Sequence, residues 1–335
     1  MSIRVRTGVI GAGGLGHHHI RILRDLQGSN FAGFHESRPE RAAQVAEELG
    51  VRAFDSLDAL LDVVDAVTIV VPTPSHFAVA QQVLARGIHA LIEKPLAVTL
   101  DEADAMLALA ARHGALVQTG HVERFNRAIR AALPVVDAPR FIQSDRLAPF
   151  NPRGADVAVV LDLMIHDIDL VLTLVGGRAS SVHAVGVPVL TPFVDIANAR
   201  LTFDSGAVAN ITASRVSRDR MRKLRIFQQS GYLSLDLGAG NGEFFRLRGD
   251  VDVAELATAP LVLEQFVERV PLDADDGDAL RLEFESFLAA VRGESPIPVT
   301  GEAGREALAV ALQIVTDIER ALPALAGGTR LPARA

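Results

Sequence analysis

Four groups of residues in this 335-residue chain combine side-chain types and spacings that could do chemistry. The first is Gly11-x-Gly13-x-x-Gly16, which follows an apolar run and opens a helical pattern. Glycines so placed permit a tight turn, let backbone approach a pyrophosphate and leave helix N–H groups pointing at it. Glu36 stands twenty residues after Gly16, at the end of the second strand pattern. A carboxylate there can accept from both adenosine ribose hydroxyls and would repel a 2′-phosphate, which favours NAD, whereas Arg38 could hold that phosphate and keeps NADP open.

The second group is Pro72-Thr73-Pro74-Ser75-His76 with Glu93-Lys94-Pro95, each following a strand pattern. Open α/β sheets bind ligands at the carboxyl ends of their strands, so Lys94 is either a solvated ammonium beside a turn proline or a group aimed at a ligand. The third is Asp162, His166 and Asp169, spaced four and three apart on an apolar helix and therefore on one face. An imidazole one turn from a carboxylate suits general-base work, although the same stripe could simply meet solvent or an interdomain salt bridge. The fourth is the run Arg215, Arg218, Arg220, Arg222, Lys223 and Arg225, with only Asp219 opposing it. It reads either as a solvated hairpin connection or as a site for phosphate or carboxylate. His17, His18 and His19 do not converge on a metal, because consecutive helical residues point about 100° apart. No metal is expected.

The elements that must position these groups fall into two rhythms. From residue 3 to about 120, short apolar runs alternate with helical patterns, two of them opened at capping-box spacing by Ser37 with Glu40 and by Thr99 with Glu102. This alternation predicts right-handed crossovers and a doubly wound parallel sheet. From about 138 the period changes to two, with strands expected near 140–148, 181–189, 195–203, 207–216, 223–229, 232–237 and 243–249. Turns at Asp204-Ser205-Gly206 and Ser230-Gly231 join several of them, which predicts a large open, mainly antiparallel sheet covered by a helix at 156–175. Helices near 278–292 and 302–321 close the chain, and a Gly/Pro/Ala tail after Ala324 is expected to fray. The division is a dinucleotide-binding domain at 1–121 and a substrate-binding and oligomerisation domain at 122–335.

Hydrophobic residues make up 49% and charged ones 22%, which excludes disorder for the bulk of the chain. A net charge of −8 repels a nucleic-acid backbone, and with no Trp and one Tyr there are few stacking platforms. Zero cysteines exclude disulfides, thiolate nucleophiles and Cys-ligated metals. The first residues show no signal-peptide pattern, and the most apolar long segment, 156–175, carries Asp162, His166, Asp167 and Asp169. The expected location is the cytoplasm, away from membrane.

Taken together, the glycine loop with His17-His18-His19, Val71-Pro72-Thr73-Pro74-Ser75-His76, Glu93-Lys94-Pro95 and Asp162-Leu163-Met164-Ile165-His166-Asp167-Ile168-Asp169 resemble the glucose-fructose oxidoreductase / inositol dehydrogenase / MocA family. The resemblance implies an N-terminal Rossmann domain, a C-terminal α+β domain with a large open sheet, and a homo-oligomer. It implies NAD contacts at Gly11, Gly13, Leu15, Gly16, Glu36, Arg38, Thr73, His76, Glu93 and Lys94. It makes Lys94 the catalytic lysine, His166 the acid/base and Asp162 its accompanying carboxylate; Glu36 departs from the Asp of many members. More narrowly, residues 120–126, the 162–169 helix and residues 221–228 resemble the branch that oxidises the 3-hydroxyl of UDP-N-acetylglucosamine for a partner aminotransferase. That branch implies a nucleotide-sugar substrate, with contacts at Arg124, Asn126, Asp162, His166 and Arg218. Enzymes of the same family acting on inositol or a free aldose, and a non-catalytic NAD-sensing regulator, are the alternatives.

Overall fold

The computed structural model describes residues 4–152, 154–249 and 266–326, with side chains as far as 322. The chain forms two compact units. One comprises residues 1–125 with 277–309, the other 126–276 with 310–335.

In the first unit, β1 (Val5–Ile10), β2 (Ser29–His35), β3 (Ala66–Ile69), β4 (His89–Glu93) and β5 (Val117–Gly120) form a parallel sheet in the order β2-β1-β3-β4-β5. Strand order reverses beside β1, the switch point at which such sheets hold ligands. The intervening helices are α1 (Gly14–Asp25), α2 (Pro39–Leu49), the short α3 (Leu57–Leu61), α4 (His76–Leu84) and α5 (Leu100–His113). The Thr99–Glu102 capping box forms as expected. The one expected at Ser37 and Glu40 does not. Arg38 caps α2 without a side-chain bond, Pro39 supplies the first turn, and Ser37 Oγ turns back toward Glu36. Unexpectedly, α8 (Ala279–Val291) belongs to this unit. Its Phe284, Phe287 and Leu288 join Val9, Ile20, Leu23 and Phe34 in one core, each contributing roughly 1.5–3 kcal/mol by burial. The units are therefore not the two consecutive pieces, 1–121 and 122–335, expected from the sequence.

The second unit is built on an eight-stranded sheet, ordered β13-β12-β11-β10-β6-β9-β8-β7. Its strands are β6 (Phe141–Leu147), β7 (Ala179–Val187), β8 (Ile196–Phe203), β9 (Val208–Ser214), β10 (Met221–Gln228), β11 (Gly231–Asp236), β12 (Asn241–Leu247) and β13 (Val267–Leu272). All pairs are antiparallel except β6 with β9. Because β6 lies between β9 and β10, residues 215–220 cross over it, and the expected hairpin connection is not one. The edge strand β13, with its Pro271, was not anticipated. Helix α7 (Ile165–Val175) packs on β6 and β9, preceded by a π-helical turn at Val160–Met164. Short α6 (Arg127–Ala132) adjoins β11 and β12. The last helix, α9 (Gly301–Ala326), starts in the first unit's residues and ends in the second's. Residues 327–335 of the tail expected to fray lie outside the described residues. Among the described residues no helix is long and apolar enough to cross a membrane.

Candidate active site

The loop between β1 and α1 is shaped by close backbone approaches. A Cβ at Gly16 would lie 2.1 Å from the Gly11 carbonyl oxygen, and Gly11 itself has φ +96° with its Cβ direction blocked by Val70. At Gly13, the N-cap of α1, a Cβ would meet nothing within 4 Å. Side-chain-free backbone at a helix N-terminus with open space before it fits a dinucleotide pyrophosphate. Leu15 is half-buried in the first turn. Glu36 ties this loop to the end of β2, accepting from the Ala12 N–H at 2.9 Å and from the Arg38 backbone and guanidinium at 3.0–3.2 Å. Burial pushes the Glu36 carboxyl up, but the bonds from Arg38 and Ala12 outweigh it and hold it at about 2. Arg38 is thus bonded to the carboxylate expected to face the ribose. Arg41, which sequence reasoning missed, donates to the Ala12 carbonyl at 2.8 Å.

The carboxyl end of β4 is anchored more firmly than its sequence suggests. Glu93 is buried, its Oε1 is 3.2 Å from His19 Nε2, and its Oε2 accepts the Lys94 N–H at 3.2 Å. Burial raises the Glu93 carboxyl; His19 and Lys94 bring it below its ordinary value. Lys94 is half-buried and one of two lysines in a chain with 31 arginines, the other being Lys223. His76, expected among the cofactor contacts, is 1% exposed. Its Nδ1 faces the Pro95 and Leu96 carbonyls at 3.0 and 3.3 Å and its Nε2 the Val71 carbonyl at 3.0 Å. It joins the β3 and β4 loops. Burial lowers its pKa, opposed by those carbonyls and Glu93. Thr73 is half-exposed in a short 3₁₀ turn beside it.

In the second unit, Asp162 lies in the π turn and His166 in the first turn of α7, both half-buried; Asp169 is 1% exposed. π turns recur at functional sites because they re-aim side chains within a helix. A Cβ at Gly154 would lie 2.6 Å from Asp162 Oδ2, so a side chain there would displace the carboxylate. Next to His166, Asp167 binds Arg146 Nε at 2.6 Å and Ser144 Oγ at 2.8 Å, both on β6. This buried pair fixes α7 on the sheet, and nothing local marks Arg146 for the role.

The six cations of 215–225 divide. Arg215 is buried, donating to the Gly154 carbonyl and to that of Val157 at 2.6 Å, with Asp195 3.8 Å from its Nε. It cannot meet a diphosphate from solvent. Lys223 pairs with Asp236 at 2.7 Å and Arg225 with Asp145 at 3.7 Å, while Arg218, Arg220 and Arg222 are exposed.

Comparison with known proteins decides the family. Residues 5–121 match the model of the GFO/IDH/MocA oxidoreductase family with its NAD-binding Rossmann fold, and residues 139–234 that of the GFO/IDH/MocA C-terminal domain. The chain is 43% identical over 318 residues to a UDP-N-acetylglucosamine 3-dehydrogenase of Acidithiobacillus ferrooxidans, covering 95% of this chain and 98% of that one. The chain belongs to the GFO/IDH/MocA family. A solved structure of a UDP-N-acetylglucosamine 3-dehydrogenase from the same organism aligns with TM-score 0.87 at 41% identity, over 95% of this chain and 99% of that one. A scyllo-inositol 2-dehydrogenase (NAD(+)) of Bacillus subtilis is 31% identical over 65% of this chain and 69% of its own.

As a GFO/IDH/MocA member the protein is an NAD-dependent oxidoreductase. Gly11, Gly13, Gly16, Glu36 and Arg38 come together at the β1 and β2 ends, and Thr73, Glu93 and Lys94 stand at the β3 and β4 ends. Of the expected substrate contacts, Arg124 donates to the Pro298 carbonyl at 3.0 Å. Asn126 caps α6 through the Ala128 N–H and donates to the Leu237 carbonyl at 2.9 Å, an internal structural use. His17 meets Glu48 at 3.0 Å, His18 is exposed and His19 is buried. Among the described residues no group of three or more His, Cys, Asp or Glu could hold a metal ion. Sequence reasoning missed His19, Arg41, Gly120 and Arg146. Only the spacing of His19 to the glycine loop offered a signal.

Proposed function

We propose that the protein oxidises the 3-hydroxyl of UDP-N-acetylglucosamine to the 3-keto sugar with NAD. The 43% identity to a 3-dehydrogenase along 98% of that enzyme carries the reading. NAD, when bound, supplies the hydride acceptor. His166, near neutral in its ordinary pKa, takes the hydroxyl proton, with Asp162 one turn away to orient the imidazole. Lys94 donates a hydrogen bond to the oxygen as negative charge develops on it. Arg218, with its exposed neighbours, attracts the diphosphate.

The product is a ketone suited to transamination; we propose that an aminotransferase consumes it in lipopolysaccharide synthesis and that the enzyme works in the cytoplasm. A homo-oligomer is proposed from the outer face of the large sheet. Phe141, Phe227, Tyr232 and Phe245 stack there across four strands at 5.6, 4.7 and 5.5 Å, opposite the buried Ile142, Ile226 and Leu233. Phe227 is exposed and the other three are half-buried, a partly uncovered aromatic row that seeks cover, and sedimentation of Phe227→Glu as a smaller species than wild type supports a second copy.

The deciding assay follows reduced cofactor with NAD and UDP-N-acetylglucosamine, free N-acetylglucosamine or inositol. Rapid turnover of the UDP-sugar alone is expected. Equal or faster turnover of inositol overturns the reading in favour of a polyol dehydrogenase, the activity carried by the Bacillus subtilis relative's name.

A further inference from the structure

Lys94 follows a buried carboxylate that is itself backed by a buried histidine, an expensive arrangement for a loop that needed only a lysine at a strand end. An ionised carboxylate taken out of water costs several kcal/mol unless charge and hydrogen bonds compensate. Glu93 finds that compensation in His19, which is completely buried, 3.2 Å away and edge-on to Phe284 with ring centroids 4.9 Å apart. The other carboxylate oxygen accepts the N–H of Lys94 itself, so it sets the peptide plane from which the lysine departs. Space for the carboxylate is made on β5: a Cβ at Gly120 would lie 2.9 Å from Glu93 Cδ and Oε1. The segment is held from its far side as well, by His76 against the Pro95 and Leu96 carbonyls.

We propose that His19, acting through the Glu93 carboxylate, is a positioning residue for Lys94, and that Gly120 is glycine to admit that carboxylate. The arrangement places one buried negative charge at a fixed distance along the chain from the ammonium and prevents the Lys94 peptide from turning. His19 touches no reacting atom in this assignment; its effect on the reaction passes entirely through Glu93 and the lysine. The inference rests on the reading of Lys94 as a catalytic residue.

The chain's two lysines make the test direct, since reductive ¹³C-methylation gives resolved signals for Lys94 and Lys223, with Lys94→Ala assigning the first. Glu93→Gln, the double variant His19→Phe/Glu93→Gln and Gly120→Ala are compared with wild type by kcat on UDP-N-acetylglucosamine, NAD binding and NMR. Gly120→Ala keeps every polar group and covers the case in which removal of the pair prevents folding. The expected result is kcat lower by about 10- to 100-fold, NAD affinity within about threefold, and a moved Lys94 signal beside an unmoved Lys223 signal. If kcat stays within about twofold, or falls while the Lys94 signal stays in place, the proposal is overturned. Lys94→Ala with wild-type turnover would instead remove the catalytic reading of the lysine, a separate outcome.

Discussion

The Lys94 segment and the 215–225 segment are both cationic, and the structure treats them in opposite ways. At 93–96 a single cation is surrounded by anchors: Glu93 on His19, and the Pro95 and Leu96 carbonyls on His76. At 215–225 six cations share no such frame. Arg215 is consumed inside the second unit, Lys223 and Arg225 lie along the sheet beside Asp236 and Asp145, and Arg218, Arg220 and Arg222 face solvent. Density of charge marks where anions are attracted. Chemistry needs a charge held still, because only a pre-set group stabilises a transition state without paying reorganisation at the moment of reaction. The residue type agrees: in a chain with 31 arginines, position 94 keeps the compact ammonium rather than the planar guanidinium.

The largest effects should come from the two residues proposed to act on the reacting hydroxyl. Lys94→Ala and His166→Ala are each expected to lower kcat about 100- to 10,000-fold in the reduced-cofactor assay. NAD affinity, measured by titration, should remain within about threefold. Near-normal turnover in His166→Ala would take the base role from it and leave Lys94 as the candidate.

Arg215 sharpens the contrast from the other side, as the buried cation of its segment. Arg215→Ala leaves Asp195 and two carbonyls without their buried partner and should cost about 3 kcal/mol in urea unfolding. Arg218→Ala, in the same run, should change stability by less than about 0.5 kcal/mol. If the two lose the same amount, burial is not what separates them. Asp195 adds a pH signature. Burial raises its carboxyl, but the N–H groups of Val189, Leu190 and Thr191 with the Thr191 hydroxyl bring it from 3.8 to about 2. A pKa depressed by folding contributes stability that is present above the unfolded value and lost as pH falls through the folded one. Wild type should therefore lose stability between pH 3.8 and about 2, and Asp195→Asn should be flatter across that window.

At the cofactor loop, Glu36→Ala removes the carboxylate proposed to read the ribose and frees Arg38. NAD binding should weaken about tenfold, the worth of a net hydrogen bond, and the preference over NADP should shrink in parallel titrations. Equal or tighter NADP binding by the wild-type protein would mean that Arg38 governs the pocket. The smallest effect is expected from the exposed cations. Replacing Arg218, Arg220 and Arg222 together by Gln should raise KM for UDP-N-acetylglucosamine about 3- to 10-fold at low salt, a difference that fades as salt rises. An unchanged KM and salt dependence would leave them as solvated surface.

Much of the scaffold was legible because its signals are local. The Thr99–Glu102 box could be read because both partners sit within one turn, and the strands of the large sheet could be read from their period of two. The same local rule misread Ser37 and Glu40, where Glu36 and Arg38 compete for the first turn and Pro39 starts the helix. Strand β13 and the placement of α8 were out of reach for a different reason. Each depends on a neighbour far along the chain, β12 for the first and the α1 core for the second.

The sequence by itself determined the glycine loop and its helix, the carboxylate at the end of β2, the two rhythms of the chain, and the family motifs containing Lys94 and His166. These follow from steric freedom, period and spacing, which neighbouring residues impose on one another. Only the tertiary structure decided that His19 of three consecutive histidines is buried against Glu93, that Arg215 of six cations is internal, and that His76 clamps two loops. In each case residues of one type stand close together in the sequence, and what separates them is desolvation by partners tens of residues away. That cost is set by packing, which no local pattern contains.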